Sequence, residues 1–372
     1  MRKIKRYLPL ALLAALCVPL GLILSREMGN IYTASPFKGY AALIIFGLSL
    51  LFAYYFSVVS HEGGHLIFGL ISGYGFSSFR IGNFMILKQN KRLMIKRLHI
   101  AGTGGQCLMC APELKNGKYP VILYNLGGVI VNLIFSIIAF VLYYTVSFIP
   151  VLSTMLILTA LLSALTAMSN GIPIYAGGIA NDGMNAIHLS KNYDAAIAFR
   201  NQLLINAAQA SGERISDMPD EWFELPDGVD MQNVHCASLA VFKAGRYLDR
   251  GDTVGAEREI FALLNSNYNI IPLHKNLLIC DLIYTLLING DSKSVIPLLT
   301  PQIRKFMRSM RSYPSVIRTE YTIDLLLIDD AILAEEVYER FNKVIKKFPY
   351  PQEIKSERML MSKALEKFNN KI

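Results

Sequence analysis

The stretch SVVSHEGGHLIFG, residues 57–69, decides the fold. On a helix, positions i and i+4 share one face, so His61 and His65 can bring two imidazoles to one metal ion. Glu62 projects beside them, where a carboxylate can hold the proton of a water at the metal. From Gly39 to Phe79 the only charged or histidine side chains are His61, Glu62 and His65. As one helix this run would be roughly 60 Å long, about twice a hydrocarbon core, so a break is expected near Gly73-Tyr74-Gly75, with the spanning part within Ala41–Ser72. Ionisable groups in such a span are expensive and functional by default. Gly63 and Gly64 each weaken a helix by about 1 kcal/mol relative to Ala, which makes sense if another backbone packs closely there. The bland alternative is a polar patch that glues helices together.

The rest of the chain fits a membrane setting. Of its 372 residues 53% are hydrophobic and only 17% charged, against about 25% charged in an ordinary soluble chain. The net charge of +9 could suit nucleic acid, but the basic residues sit beside apolar spans and follow membrane topology instead; a lipid bilayer is the expected partner and nucleic acid is not. Met1–Ser25 has a basic start and an apolar run from Leu8, with no small-x-small cleavage site after it. It reads as an uncleaved first membrane helix with its N-terminus in the cytosol. Residues 76–118 carry eight Lys and Arg against the single acid Glu113, as a cytosolic loop should. Within it, Phe84–Lys88 and Leu93–Arg97 can pair as a β-hairpin, followed by the Gly-rich turn Gly102-Thr103-Gly104-Gly105. Tyr119–Asn181 holds no charge, enough for two crossings with a break near Phe148-Ile149-Pro150, giving helices at about 119–147 and 152–170. The fold class is therefore an α-helical membrane protein with about four transmembrane helices and a small β-hairpin insertion, followed by a soluble all-α domain. It is placed in the cell membrane, multi-pass, with both termini cytosolic.

Three parts are expected: a membrane-embedded domain over 1–190, a linker and helical connector over 191–231, and helical repeats over 232–372. Asp217–Asp230, punctuated by Pro219 and Pro226, reads as a linker. Beyond it Gly251-Asp252, Gly290-Asp291 and Asp329-Asp330 recur every 39 residues. Each marks a turn between apolar-periodic helices, for example 232–249 and 253–265, and that period fits a helix-hairpin solenoid. The stretch AGRYLDRGDTVGAEREIFALL resembles a tetratricopeptide repeat. The alternative is an irregular bundle. The five cysteines are too few for a disulfide scaffold, and the lone Cys107/Cys110 pair is weak evidence for a metal.

A catalytic zinc wants three protein ligands and an open position. Asp182 is the best third ligand, since it follows the fourth helix, which by the crossing count ends at the same face as the HEGGH helix. Asn181-Asp182-Gly183 is also an ordinary turn sequence. His188 is a rival ligand and His99 a weaker one, while His235 and His274 fall in the soluble part.

Three motifs carry a resemblance: HEGGH at 61–65, Gly127-Gly128-Val129-Ile130-Val131-Asn132, and Asn170-Gly171-Ile172-Pro173 leading to Asp182-Gly183. In order and topology residues 40–190 resemble the site-2 protease family of intramembrane zinc metalloproteases. The resemblance implies a zinc (Zn2+) centre held by His61, His65 and Asp182, with Glu62 as base in the hydrolysis of a peptide bond in a membrane-associated segment. It makes Asn132 and Asn170 candidates to orient substrate or stabilise an oxyanion, with interhelical hydrogen bonding as their ordinary reading. The substrate class it implies is a membrane-anchored protein or a peptide precursor, and the repeats would recruit a protein partner or substrate. There are departures: Asn181 stands where Leu is usual, Val129 where Pro is common, and Pro173 to Asp182 spans nine residues, longer than the family pattern. A membrane scaffold acting only through its repeats has no need for the base Glu62. A metal transporter would carry polar groups along several helices, and here the other spans are nearly bare.

Overall fold

In the computed structural model the described residues are 18, 21–33, 39–90, 92–98, 103–146, 148–176 and 178–370. Most of the expected first span, 8–25, and His99 lie outside them; residues 21–33 are helical. The chain divides into two compact units, one made of residues 1–82, 102–107 and 112–191, the other of 83–101, 108–111 and 192–372.

The first unit is built on three helices, α1 (Tyr40–Ile71), α2 (Ile122–Thr145) and α3 (Pro150–Gly171), which pack pairwise against one another. Among the described residues these three are long and apolar enough to cross a membrane. Large side chains such as Leu48, Ile137 and Phe140 stay exposed on them, as lipid-facing residues do.

The breaks expected in the sequence have local reasons. Gly73 adopts φ +86°, Tyr74 N–H donates to Gly69 O at 2.9 Å and Gly73 N–H to Leu70 O at 3.1 Å. That is a Schellman stop, placed at the expected break. Pro150 stands in the first turn of α3, where its missing N–H costs nothing. Polar side chains tie the helices: Ser57 Oγ donates to Thr166 Oγ1 at 2.8 Å, and Ser136 Oγ to Ala160 O at 2.8 Å. Glycines set how close the helices come. A Cβ on Gly64 would lie 2.3 Å from Gly127 O, and one on Gly127 would lie 2.4 Å from Gly64 O. Gly63 meets nothing within 4 Å. The close backbone contact expected at the two glycines therefore belongs to Gly64 alone, because the two positions point about 100° apart around the helix.

The expected hairpin is present and slightly longer. β2 (Phe84–Gln89) pairs antiparallel with β3 (Arg92–Arg97), from Phe84 opposite Arg97 to Gln89 opposite Arg92. Asn90 takes φ +49° in its two-residue turn, a conformation Asn tolerates. Two strands were not expected: β1 (Gly75–Ile81) and β4 (Gly105–Cys110), which complete a sheet of order β3-β2-β1-β4. Gly105, read as part of a turn, opens β4. A second small pair, β5 (Tyr175–Ala176) and β6 (Ile179–Ala180), precedes α4 (Asp182–Lys191).

The second unit continues with α5 (Tyr193–Ser211), α6 (Val234–Asp249), α7 (Thr253–Leu264), α8 (Pro272–Asn289), α9 (Pro301–Ser309), α10 (Pro314–Ile323), α11 (Ala331–Val344) and α12 (Pro351–Asn369). Within Asp217–Asp230, expected as a linker, Met218 and Phe223 are buried in a core with Ile205, Cys236 and Leu239. The 39-residue period has a backbone basis. Gly251, Gly290 and Asp329 adopt φ of +76°, +97° and +66°. The aspartate after each accepts a hydrogen bond from the backbone of the next turn: Asp252 from Gly255, Asp291 from Ser294 and Asp330 from Ile332 and Leu333. Each site is a left-handed stop followed by an Asp cap. The segments these caps begin are not uniform, because a 3-10 turn at Lys293–Leu298 replaces a full helix after the second.

The glycine contrast is testable. Gly64→Ala forces a methyl into the Gly127 backbone and should cost about 1–3 kcal/mol, seen as a lower melting temperature of the detergent-solubilised protein. Gly63→Ala should be neutral or stabilising by up to about 1 kcal/mol. Equal effects at the two positions would refute the packing assignment.

Candidate metal centre

His61 and His65 lie on the α1 face turned toward α2 and α4, and both are buried. His65 Nδ1 sits 2.8 Å from the Tyr124 carbonyl oxygen. A carbonyl only accepts, so Nδ1 carries the proton and Nε2 is the ring nitrogen turned to the other side. There it meets His61 Nε2 at 3.3 Å and Asp182 Oδ2 at 3.3 Å, while His61 Nε2 and Asp182 Oδ2 are 3.0 Å apart. Three Lewis bases thus converge on one point, the grouping of His61, His65 and Asp182 that could hold a metal ion among the described residues. A tetrahedral zinc with bonds of about 2.0–2.1 Å has its ligand atoms about 3.3 Å apart. The triangle has that size, and its two-nitrogen, one-oxygen donor set suits zinc.

The third corner depends on Asn181. Its Nδ2 donates to Ser169 O at 2.8 Å and Ile172 O at 2.6 Å, and its Oδ1 accepts from Ile174 N at 3.2 Å and Met184 N at 3.0 Å. One side chain therefore closes the 169–184 loop and caps the start of α4, with Asp182 as its first residue. The long spacing from Pro173 is taken up by the β5–β6 pair, and Asn181 N–H returns to Ile174 O at 3.2 Å. Gly183 is required next to it, since a Cβ there would lie 2.1 Å from Gly171 O. Asn181 was met in the sequence as a departure from the family pattern and as part of an ordinary turn tripeptide. An asparagine just before a helix start is the signal that could have shown its capping role. His188, farther along α4, is not part of the cluster.

Two glycines shape the walls around the histidines and Glu62. A Cβ on Gly128 would lie 2.6 Å from the His61 ring, and one on Gly105 would lie 2.6 Å from Glu62 Cγ. The start of β4 thus lies directly against Glu62, and the Cys107 backbone hydrogen-bonds to it. Tyr124 Oη donates to Cys107 O at 3.0 Å, so the residue that orients His65 also holds this strand. Cys107 is buried and Cys110 partly so, on opposite faces of β4 as an i, i+3 pair must be, so the two do not form a metal site.

The two asparagines differ. Asn132 is fully buried, and its Oδ1 accepts from Ser60 Oγ at 2.6 Å. Among the described residues its Nδ2 has no hydrogen-bond partner, nor has His61 Nδ1. Asn170 Nδ2 instead donates to Thr166 O at 2.9 Å along its own helix. An orphaned buried donor calls for an explanation, and Asn132 has one only if another group comes to it.

A family model described as peptidase family M50 matches residues 49–353, most of the chain. No curated protein and no solved structure matches it.

Burial, and then the Glu62 carboxylate, push the Cys107 thiol up to about 12. Only the thiolate reacts, so Cys107 should label with maleimide far more slowly at pH 8 in the folded protein than in the denatured chain. Mass spectrometry of the labelled peptide reads this; equal rates would show that β4 does not cover the site.

Proposed function

The chain belongs to peptidase family M50, a family of membrane metalloproteases, and on that premise we propose that it is an intramembrane zinc metalloprotease that hydrolyses a peptide bond in a membrane-anchored protein or peptide precursor. The observation that carries the reading is the triangle of His61 Nε2, His65 Nε2 and Asp182 Oδ2 at 3.0–3.3 Å, with Glu62 beside it. These three side chains would hold the ion. Bound there, zinc would supply Lewis acidity to a water and to the scissile carbonyl.

The chain's own groups supply the rest. Glu62, the residue after His61 on α1, takes the proton from the water and delivers it to the leaving nitrogen. Asn132 Nδ2, already aimed by its bond from Ser60, is the better of the two amides to donate to the substrate carbonyl or the oxyanion that develops. Asn170 is committed to its own helix and serves structure. The Gly105–Cys107 strand shields Glu62 from bulk solvent. A helical substrate hides its amides and must unwind before it reaches this centre; the β2–β3 hairpin offers a backbone edge to an extended segment.

The wider reading is a multi-pass protein of the cell membrane with cytosolic termini, whose C-terminal helices, tetratricopeptide-like in their turn spacing, recruit a protein partner or the substrate. A scaffold without catalysis is disfavoured by the intact Glu62.

Glu62→Gln should abolish cleavage, at least a hundredfold, while the bound metal remains. Comparing membrane proteomes of cells carrying wild type and this variant should reveal a fragment made only by the wild type; its absence under every condition would support the scaffold. Asp182→Ala should lose both metal and cleavage, whereas His188→Ala should retain both. The reverse result would make His188 the third ligand.

A further inference from the structure

The C-terminal unit holds a partly open pocket of about 150 Å3 in which acidic side chains outnumber basic ones. Its wall carries the carboxylates of Glu213, Asp249, Asp281, Glu353 and Glu357 and a single guanidinium, Arg318. Arg318 is 1% exposed, donates to Asp281, and lies 4.5 Å over the Tyr284 ring. Asp249 has its own partner, Arg214 Nε at 3.0 Å, and also accepts from Ser216 N–H at 2.9 Å. Glu357 is 7% exposed; its Oε2 lies 3.3 Å from Arg318 Nε, yet neither atom makes a hydrogen bond. Glu353 has no hydrogen bond or ion pair among the described residues. Five acids thus line the pocket against two guanidiniums, and the two with the poorest hydrogen bonding are on α12, Glu353 and Glu357.

Burial leaves these two carboxyls poorly solvated. It pushes Glu353 up to about 8, with Glu357 adding to the effect, and it pushes Glu357 up to about 7 against the pull of Arg318. Each holds a proton more tightly than in water, and a cation entering the cavity can replace it. The acids are not spaced for a metal: among the described residues only His61, His65 and Asp182 bring three ligand atoms within 4.8 Å of one another. The space is that of about five waters at about 30 Å3 each, room for the end of one side chain and not for a folded ligand. A compact ammonium with three donors suits scattered single carboxylates better than a planar guanidinium, which prefers a bidentate partner.

We propose that this cavity is a binding site for an organic ammonium group, the ε-ammonium of a lysine side chain on a peptide, received by Glu353 and Glu357. The site is separate from the HEGGH centre, and the inference does not rest on the peptidase reading. It gives the C-terminal helices a definite ligand chemistry, a lysine presented on a flexible segment.

The test is titration calorimetry on the full-length protein in detergent, with Nα-acetyl-lysine amide, its Nε-acetylated form, putrescine and Mg2+ as probes. The lysine amide should bind saturably and the Nε-acetylated form should not. Glu353→Gln should weaken binding about tenfold, the loss of one charge-assisted hydrogen bond. The comparison of the two lysine probes on wild type needs no variant and so stands even if the substitution disturbs folding. Saturable binding of putrescine without the lysine amide would overturn the peptide assignment in favour of a free amine. Tighter binding of Mg2+ than of either amine, equal binding of the acetylated probe, or no saturable binding would overturn the site itself.

Discussion

The membrane unit depends on one contact, the mutual approach of the Gly64 and Gly127 backbones. Neither position has room for a methyl group, and Gly128 next to it leaves space for the His61 ring. Where α1 and α2 meet this closely, Tyr124 can offer its carbonyl to His65 and Asn132 can reach Ser60. The orientation of both imidazoles therefore derives from helix packing. In lipid there is little hydrophobic force between helices, so small residues and a few polar bonds have to set this geometry.

The second requirement is to bring an acid from the far end of the unit to the same point. Asp182 arrives through a loop that Asn181 closes with four hydrogen bonds, and through Gly183, which must lie against Gly171. Asn181 satisfies four backbone polar groups of this loop, the kind of internal pairing that backbone near a membrane demands. The Glu62 side of the site is finished by β4, where Gly105 again allows a close approach that a side chain would block.

Much of this was legible in the residues. HEGGH singled out His61, Glu62 and His65 as candidates, because charge is rare in an apolar span and i, i+4 spacing puts two imidazoles on one face. The breaks at Gly73 and Pro150 and the 84–97 hairpin came from local turn chemistry. Strands β1 and β4 were not legible: Gly75–Ile81 lies just past the expected break of an apolar run and Gly105–Cys110 follows a Gly-rich turn, and their pairing partners are distant or poorly patterned. Gly63 and Gly64 look alike in sequence, and only the direction of each Cα within the helix separates them. Asn181 looked like a defect in a family motif because its partners, Ser169 and Ile172, are carbonyls that no sequence pattern displays. In the C-terminal unit the 39-residue spacing was real as a series of left-handed stops and Asp caps. The helices between them were not uniform, because turn chemistry is local while helix length is set by packing.

X-ray absorption at the zinc edge of the purified wild-type protein tests the central claim most directly. One zinc per chain, with a first shell of nitrogen and oxygen only and the outer-shell signature of two imidazoles, is the expected result. A sulfur shell, an imidazole count other than two, or a protein that retains no zinc would contradict the assignment of His61, His65 and Asp182 as the metal centre.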